Sequence, residues 1–124
     1  MSIYEREHAR ILKMDLDNGE GDIMPVTTQV SPERKEFTIS VDGRFDFSLH
    51  QEFRTSYEHV TEPGTTYVVD LGRAEYLDSS ALGMLLLLRE HAGGDSAKVK
   101  IAHCRPDIKK ILAIANFHLL FTLD

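Results

Sequence analysis

Cys104 is the sole cysteine in the 124 residues. No disulfide can form within the chain, and a reducing cytoplasm suits it. Long apolar runs are missing too: the longest falls well short of the ~20 residues that span a bilayer. The N-terminus has neither the basic nor the apolar stretch of a signal peptide. Positive charge is in deficit, with 14 Lys and Arg against 20 Asp and Glu, for a net charge of -6. That balance disfavours nucleic acid, whose phosphates need clustered cations, and an anionic membrane surface. A soluble, cytoplasmic protein with no direct nucleic-acid or membrane partner is expected.

Enzyme signatures are absent as well. There is no G-x-x-x-x-G-K-[ST] to cradle phosphates and no G-x-G-x-x-G after a strand. Ser79 stands on a strand-to-helix turn, yet the G-x-S-x-G of a nucleophile elbow is not there, and no base is identifiable for it. The histidines at 8, 50, 59, 91, 103 and 118 have no metal-ligand spacing, and His103 and Cys104 would point to opposite faces of a strand. We expect no catalytic residue, no metal and no cofactor.

What is present is a core. Hydrophobic residues make up 42% of the chain, enough for one packed domain at this length. Residues 1–24 read as an extension or linker. Tyr4, His8, Ile11 and Leu12 fall on one helical face for barely two turns. The acidic, glycine-containing stretch from Asp15 to Asp22 follows, and it does not match a calcium-loop spacing. A domain over 25–124 begins beyond it.

In that domain Val26, Thr28 and Val30 alternate with polar residues, as do Phe37, Ile39 and Val41, which predicts a hairpin that Gly43 ends. Ser48 with Gln51 reads as a capping box. The helix it opens has Leu49, Phe53, Tyr57 and Val60 on one face, and Pro63-Gly64 stops it. Residues 66–71 are nearly continuously apolar, as in a central strand covered on both faces, with Asp70 the interruption. A helix from Ser79 to His91 is apolar almost all round over Leu85–Leu88 and is expected to be largely buried. A strand over 98–102, a helix after Pro106 with Ile108, Ile111, Leu112 and Ala115 buried, a left-handed cap at Asn116 and a last strand over 119–123 complete the chain. The order β-β-α-β-α-β-α-β predicts an α/β fold, a mixed sheet of about five strands with helices packed against it.

The turn Leu77-Asp78-Ser79-Ser80-Ala81-Leu82-Gly83 joins the central strand to the apolar helix. Asp and Ser are leading N-cap residues, so a cap is the plain reading. A helix start also carries unpaired N–H groups and partial positive charge. A phosphate there would add about −1.5 to −2 charges without breaking the helix. Asp78, and Asp46 if its loop lies alongside, would oppose it.

The chain resembles the STAS domain family, specifically the bacterial anti-sigma factor antagonists, over roughly 25–123. Asp78-Ser79-Ser80-Ala81-Leu82-Gly83 is similar to the family's D-S-[ST]-G-L-G, and Gly43-Arg44-Phe45-Asp46 is similar to its G-x-[LF]-D loop. The two pieces stand in the family's order and separation. The resemblance implies a small sheet flanked by helices and a partner-switching role in transcription regulation and signal transduction. An unphosphorylated antagonist of this kind binds an anti-sigma factor that is often a serine kinase; phosphorylation releases it and a serine phosphatase reverses the mark. By position the resemblance makes Ser79 the acceptor and puts Asp46, Asp78, Ser80 and Ala81 with it at the binding surface. Ala81 stands where the family usually has Gly. Alanine is the better helix former and leaves less room for close approach.

Three readings follow. The first is a phosphorylation-controlled protein–protein switch without enzymatic activity. The second is a non-cycling STAS scaffold subunit of a sensory or lipid-transport assembly. The third is a small-ligand or nucleotide-binding domain that uses the helix start as an anion site.

Overall fold

The computed structural model describes Met24–Asp124. The helical face at Tyr4, His8, Ile11 and Leu12 and the acidic stretch Asp15–Asp22 lie outside the described residues. Strands β1 (Val26–Ser31), β2 (Glu36–Phe45), β3 (Thr66–Leu77), β4 (Lys98–Ala102) and β5 (Thr122–Leu123) form one sheet in the order β1-β2-β3-β4-β5. β1 is antiparallel to β2, and every later pairing is parallel. Helices α1 (His50–Tyr57), α2 (Ser79–His91) and α3 (Pro106–Ile114) connect the parallel strands. The α/β class, the mixed five-strand sheet and the element order are those read from the sequence.

Right-handed crossovers that always step in one direction put all three helices on one face of the sheet. Burial follows that geometry. Ile39, Val69, Leu71 and Ile101 of the strands share one core with Phe53, Leu85, Leu88, Ile108 and Leu112 of the helices. The alternate positions Thr38, Ser40, Val68, Asp70 and Lys100 are only half-buried. The central strand is therefore not covered on both faces by the described residues. Strand alternation was hidden in 66–71 because Val68 is apolar yet points away from the core.

Other boundaries are corrected as well. Gly43 does not end β2. With φ +81 it sits beside a register shift, and the strand runs on to Phe45, paired with Leu77 at the end of β3. Ser48 is not the cap of the first helix: Asp46 caps a short 3-10 turn, Phe47–Leu49, that leads into α1. In α2, Met84, Leu85 and Leu88 are buried, whereas Leu86 and Leu87 are 38% and 52% exposed. Ile111 of α3 also faces outward, at 39%. Asn116 does adopt the left-handed conformation, φ 62. A further 3-10 turn, Phe117–Leu119, takes Leu119 from the expected last strand, Leu120 and Phe121 lie in the bend after it, and β5 is two residues long. His103 and Cys104 follow β4 instead of lying in it, and His103 is itself left-handed, φ 61. No helix among the described residues is long and apolar enough to cross a membrane.

Candidate functional site

Parallel pairing of β2 with β3 ends at Phe45 and Leu77. The chain leaves both strands at the same edge of the sheet, so the Asp46 loop and the Asp78–Ser79 turn emerge side by side. The Asp78 N–H also donates to the Phe45 carbonyl at 3.4 Å, which ties the two exits together.

At the second exit Asp78 has extended backbone, φ −118, and its carboxylate accepts the Ala81 N–H at 3.1 Å. Asp78 is thus the N-cap of α2, and Ser79 is the first helical residue. Ser79 is exposed, and among the described residues its hydroxyl makes no hydrogen bond. Ser80 is half-buried, next to it. Ala81 is 0% exposed, so its methyl group fills the core and is out of a partner's reach. The room lost in replacing Gly at this position is on the inside of the helix, not on its surface.

At the first exit the Asp46 carboxylate accepts the Ser48 hydroxyl and, at 3.0 Å, the Ser48 N–H. Its other oxygen faces Arg44 Nε at 3.4 Å. The Ser48 hydroxyl, then the Ser48 N–H, hold the Asp46 carboxyl below its ordinary value of 3.8 against desolvation, and Arg44 adds a lesser pull in the same downward direction. Asp46 stays ionised, and its loop is held in one shape.

Sequence reasoning did not single out three side chains beside these turns. Arg44 lies opposite Tyr76 in the β2–β3 register, with its guanidinium 3.9 Å from the ring centre. Phe47 is 67% exposed and stacks on His50 at 5.3 Å. One cation and two exposed rings thus surround the two acidic turns. The signal was present as Arg44 two residues before Asp46 and Tyr76 two before Asp78, but it required the strand register.

The outer face of α2 continues from Ser79. At 3.6 residues per turn Ser79, Gly83, Leu86 and Glu90 line one stripe, with Leu87 at its side. A side chain built at Gly83 would meet nothing within 4 Å. A partly open hollow of about 360 Å³ lies on the face of the sheet opposite the described helices, lined by Met24, Thr27, Ser40, Asp42, Asp70 and Arg73 among others. Among the described residues no three of His, Cys, Asp or Glu converge as metal ligands. Burial pushes the Cys104 thiol up, away from the reactive thiolate. An exposed hydroxyl at a helix start, with apolar and aromatic surface on both sides, can accept a modification and can meet another protein.

A family model described as "Mlab, STAS domain" matches residues 28–122. A STAS-domain containing protein of Pseudomonas aeruginosa (strain UCBPP-PA14) is 55% identical over 101 residues, which span 82% of this chain and 100% of that protein. The anti-sigma factor antagonist SpoIIAA in its unphosphorylated form aligns with a TM-score of 0.62 at 17% identity, over 80% of this chain and 86% of that one. The same protein in its phosphorylated form, described as a Bacillus cell fate determinant, aligns with a TM-score of 0.56 at 14% identity, over 80% and 90%. An anti-sigma factor antagonist from Mycobacterium paratuberculosis aligns with a TM-score of 0.63 at 22% identity, over 79% and 84%. At these identities the solved structures speak for the fold alone.

Proposed function

The chain belongs to the STAS domain family, and from that premise we propose that it is an anti-sigma factor antagonist. It binds an anti-sigma factor with serine-kinase activity while Ser79 is unmodified and releases it when Ser79 carries phosphate. A serine phosphatase restores the binding state. The protein acts in the cytoplasm and catalyses no reaction of its own.

The observation that carries this reading is the division of roles at the start of α2. Asp78 supplies the cap, so the Ser79 hydroxyl is exposed and structurally idle. Phosphate placed there meets the positive end of the helix, so the fold tolerates it. It also adds about −1.5 to −2 charges beside Asp78 and the Asp46 loop. A like charge introduced into a contact costs several kcal/mol, enough for the roughly hundredfold loss of affinity a switch needs. The Asp46 loop, Ser80, Tyr76 and Phe47 form the rest of the contact surface.

The test is to isolate the full chain with its bound partner, map phosphate on it, and compare the partner's affinity for the two forms. Phosphate on Ser79 and at least tenfold weaker binding of the modified form are expected. Phosphate elsewhere, or equal affinity, removes the switch. Turnover of a nucleotide or ester that disappears in Ser79→Ala would make the protein an enzyme instead.

One observation favours the second reading, a scaffold that does not cycle. Leu87, Ile114 and Leu119 are each more than half exposed. Permanent interfaces are more apolar than transient ones. A stoichiometric complex that survives purification whatever the state of Ser79 would select that reading.

A further inference from the structure

The two edges of the sheet are unequally protected. An edge strand presents unpaired N–H and C=O groups to any other strand, and folded proteins shield it by shortness, charge or proline. β5 at one edge is only Thr122–Leu123, and the next residue, Asp124, is paired with Lys100 at 3.4 Å. β1 at the other edge runs six residues, Val-Thr-Thr-Gln-Val-Ser, and has β2 as its only neighbour in the sheet among the described residues. It contains no charge and no proline; Pro25 and Pro32 only bracket it. Val26, Thr27, Thr28 and Val30 are β-branched residues that favour a strand.

From this edge we infer that β1 joins β1 of a second copy, antiparallel, about a two-fold axis at Thr28, to make a continuous ten-stranded sheet. The register follows from the faces. Val26, Thr28 and Val30 point to the helix side, and Thr27 and Gln29 to the open side. Opposed residues in an antiparallel pair share a face. With Thr28 on the axis, Val26 meets Val30, Thr27 meets Gln29, and both helix layers stay on one side. Val30, 52% exposed in the single chain, gains an apolar neighbour. No charge within the strand opposes a like charge. The residues just before β1 are poorer candidates to cover it, since Asp15–Asp22 is rich in acid and glycine, which strands disfavour. The parallel strands run in opposite directions across the axis, so the two Ser79 turns lie at opposite ends of the sheet. The dimer neither needs nor blocks the switch.

Two six-residue strands form a small interface, so a weak dimer is expected. Sedimentation of the full 14.1 kDa chain from low to high micromolar concentration should show mass rising towards twice that value. Thr27 and Gln29 are exposed, so substitutions there should leave melting unchanged. T27K/Q29K opposes lysine to lysine in this register and should weaken the dimer about tenfold or more. T27K/Q29E opposes lysine to glutamate and should restore it. A monomer at every concentration, a dimer indifferent to T27K/Q29K, or no recovery in T27K/Q29E overturns the inference. So does a monomer whose Val26–Ser31 amides are fully protected from hydrogen exchange, because the chain would then cover its own edge.

Discussion

Asp78 and Ser79 are adjacent, and the two have opposite obligations. Asp78 holds the Ala81 N–H, so Asp78→Ala should cost about 1 kcal/mol of stability, the usual value of a lost N-cap, read as a lower denaturant midpoint. Ser79 is exposed and uncommitted, so Ser79→Ala should stay within about 0.5 kcal/mol of wild type while abolishing phosphorylation. Ser79→Asp should be equally neutral for folding yet weaken the partner complex, by less than phosphate does because it brings one charge. A Ser79→Ala variant that melts like Asp78→Ala would assign the cap to the wrong residue. Asp46 adds a pH dependence. Its carboxyl is lowered in the folded state by the Ser48 hydroxyl first. A lowered carboxyl stabilises the fold above its ordinary value of 3.8, and that contribution is lost as pH falls through the folded value. The difference in melting between wild type and Asp46→Asn should therefore be largest near neutral pH and shrink in acid. A difference that grows in acid would mean that the Ser48 contacts do not act on the charged form.

At the scale of the element, α2 is a buried helix with one face left over. Leu88 is 0% exposed and Leu87 is 52%. Leu88→Ala should cost about 2–5 kcal/mol, and Leu87→Ala less than about 0.5. Gly83 lies on the outer face with open space at its Cβ, and glycine inside a helix is worse than alanine by about 0.5–1 kcal/mol. Gly83→Ala should raise the melting temperature and, if a partner lies along this face, lower affinity. If Gly83→Ala stabilises and binding is unchanged, the partner contacts only the helix start. A run of four leucines has no internal phase, which is why the sequence made the whole helix look buried and could not tell Leu87 from Leu88. The existence of each helix and strand was legible from periodicity, and the order of the two loop motifs was legible from residue types. The apparent capping box at Ser48 and Gln51 misled because β2 runs through Gly43, which shifts the cap back to Asp46. The Arg44–Tyr76 stack was invisible because it arises from the pairing of two strands that lie about thirty residues apart, and no local pattern encodes that register.

At the scale of the molecule, the helices among the described residues cover one side of a sheet of mostly parallel strands. Parallel sheets are usually buried on both faces, but here the second face is polar, with Thr38, Ser40, Asp70 and Lys100 along it and the Asp70 carboxylate held by the Gly72 N–H at 2.9 Å and His103 at 3.2 Å. The hollow on that face has Met24 at its rim. Among the described residues the core runs from Val26 to Phe121. The 55% identical relative also matches over its whole length with 101 residues, the length of residues 24–124. We therefore expect a chain that starts at Met24 to keep the fold. It should unfold in one cooperative transition within about 5 °C of the full chain, a shift that corresponds to no more than about 1 kcal/mol for a domain of this size. It should accept phosphate on Ser79 as the full chain does. Insolubility, a non-cooperative melt or a much larger drop would mean that residues 1–23 complete the open face of the sheet, and that the domain begins before Met24.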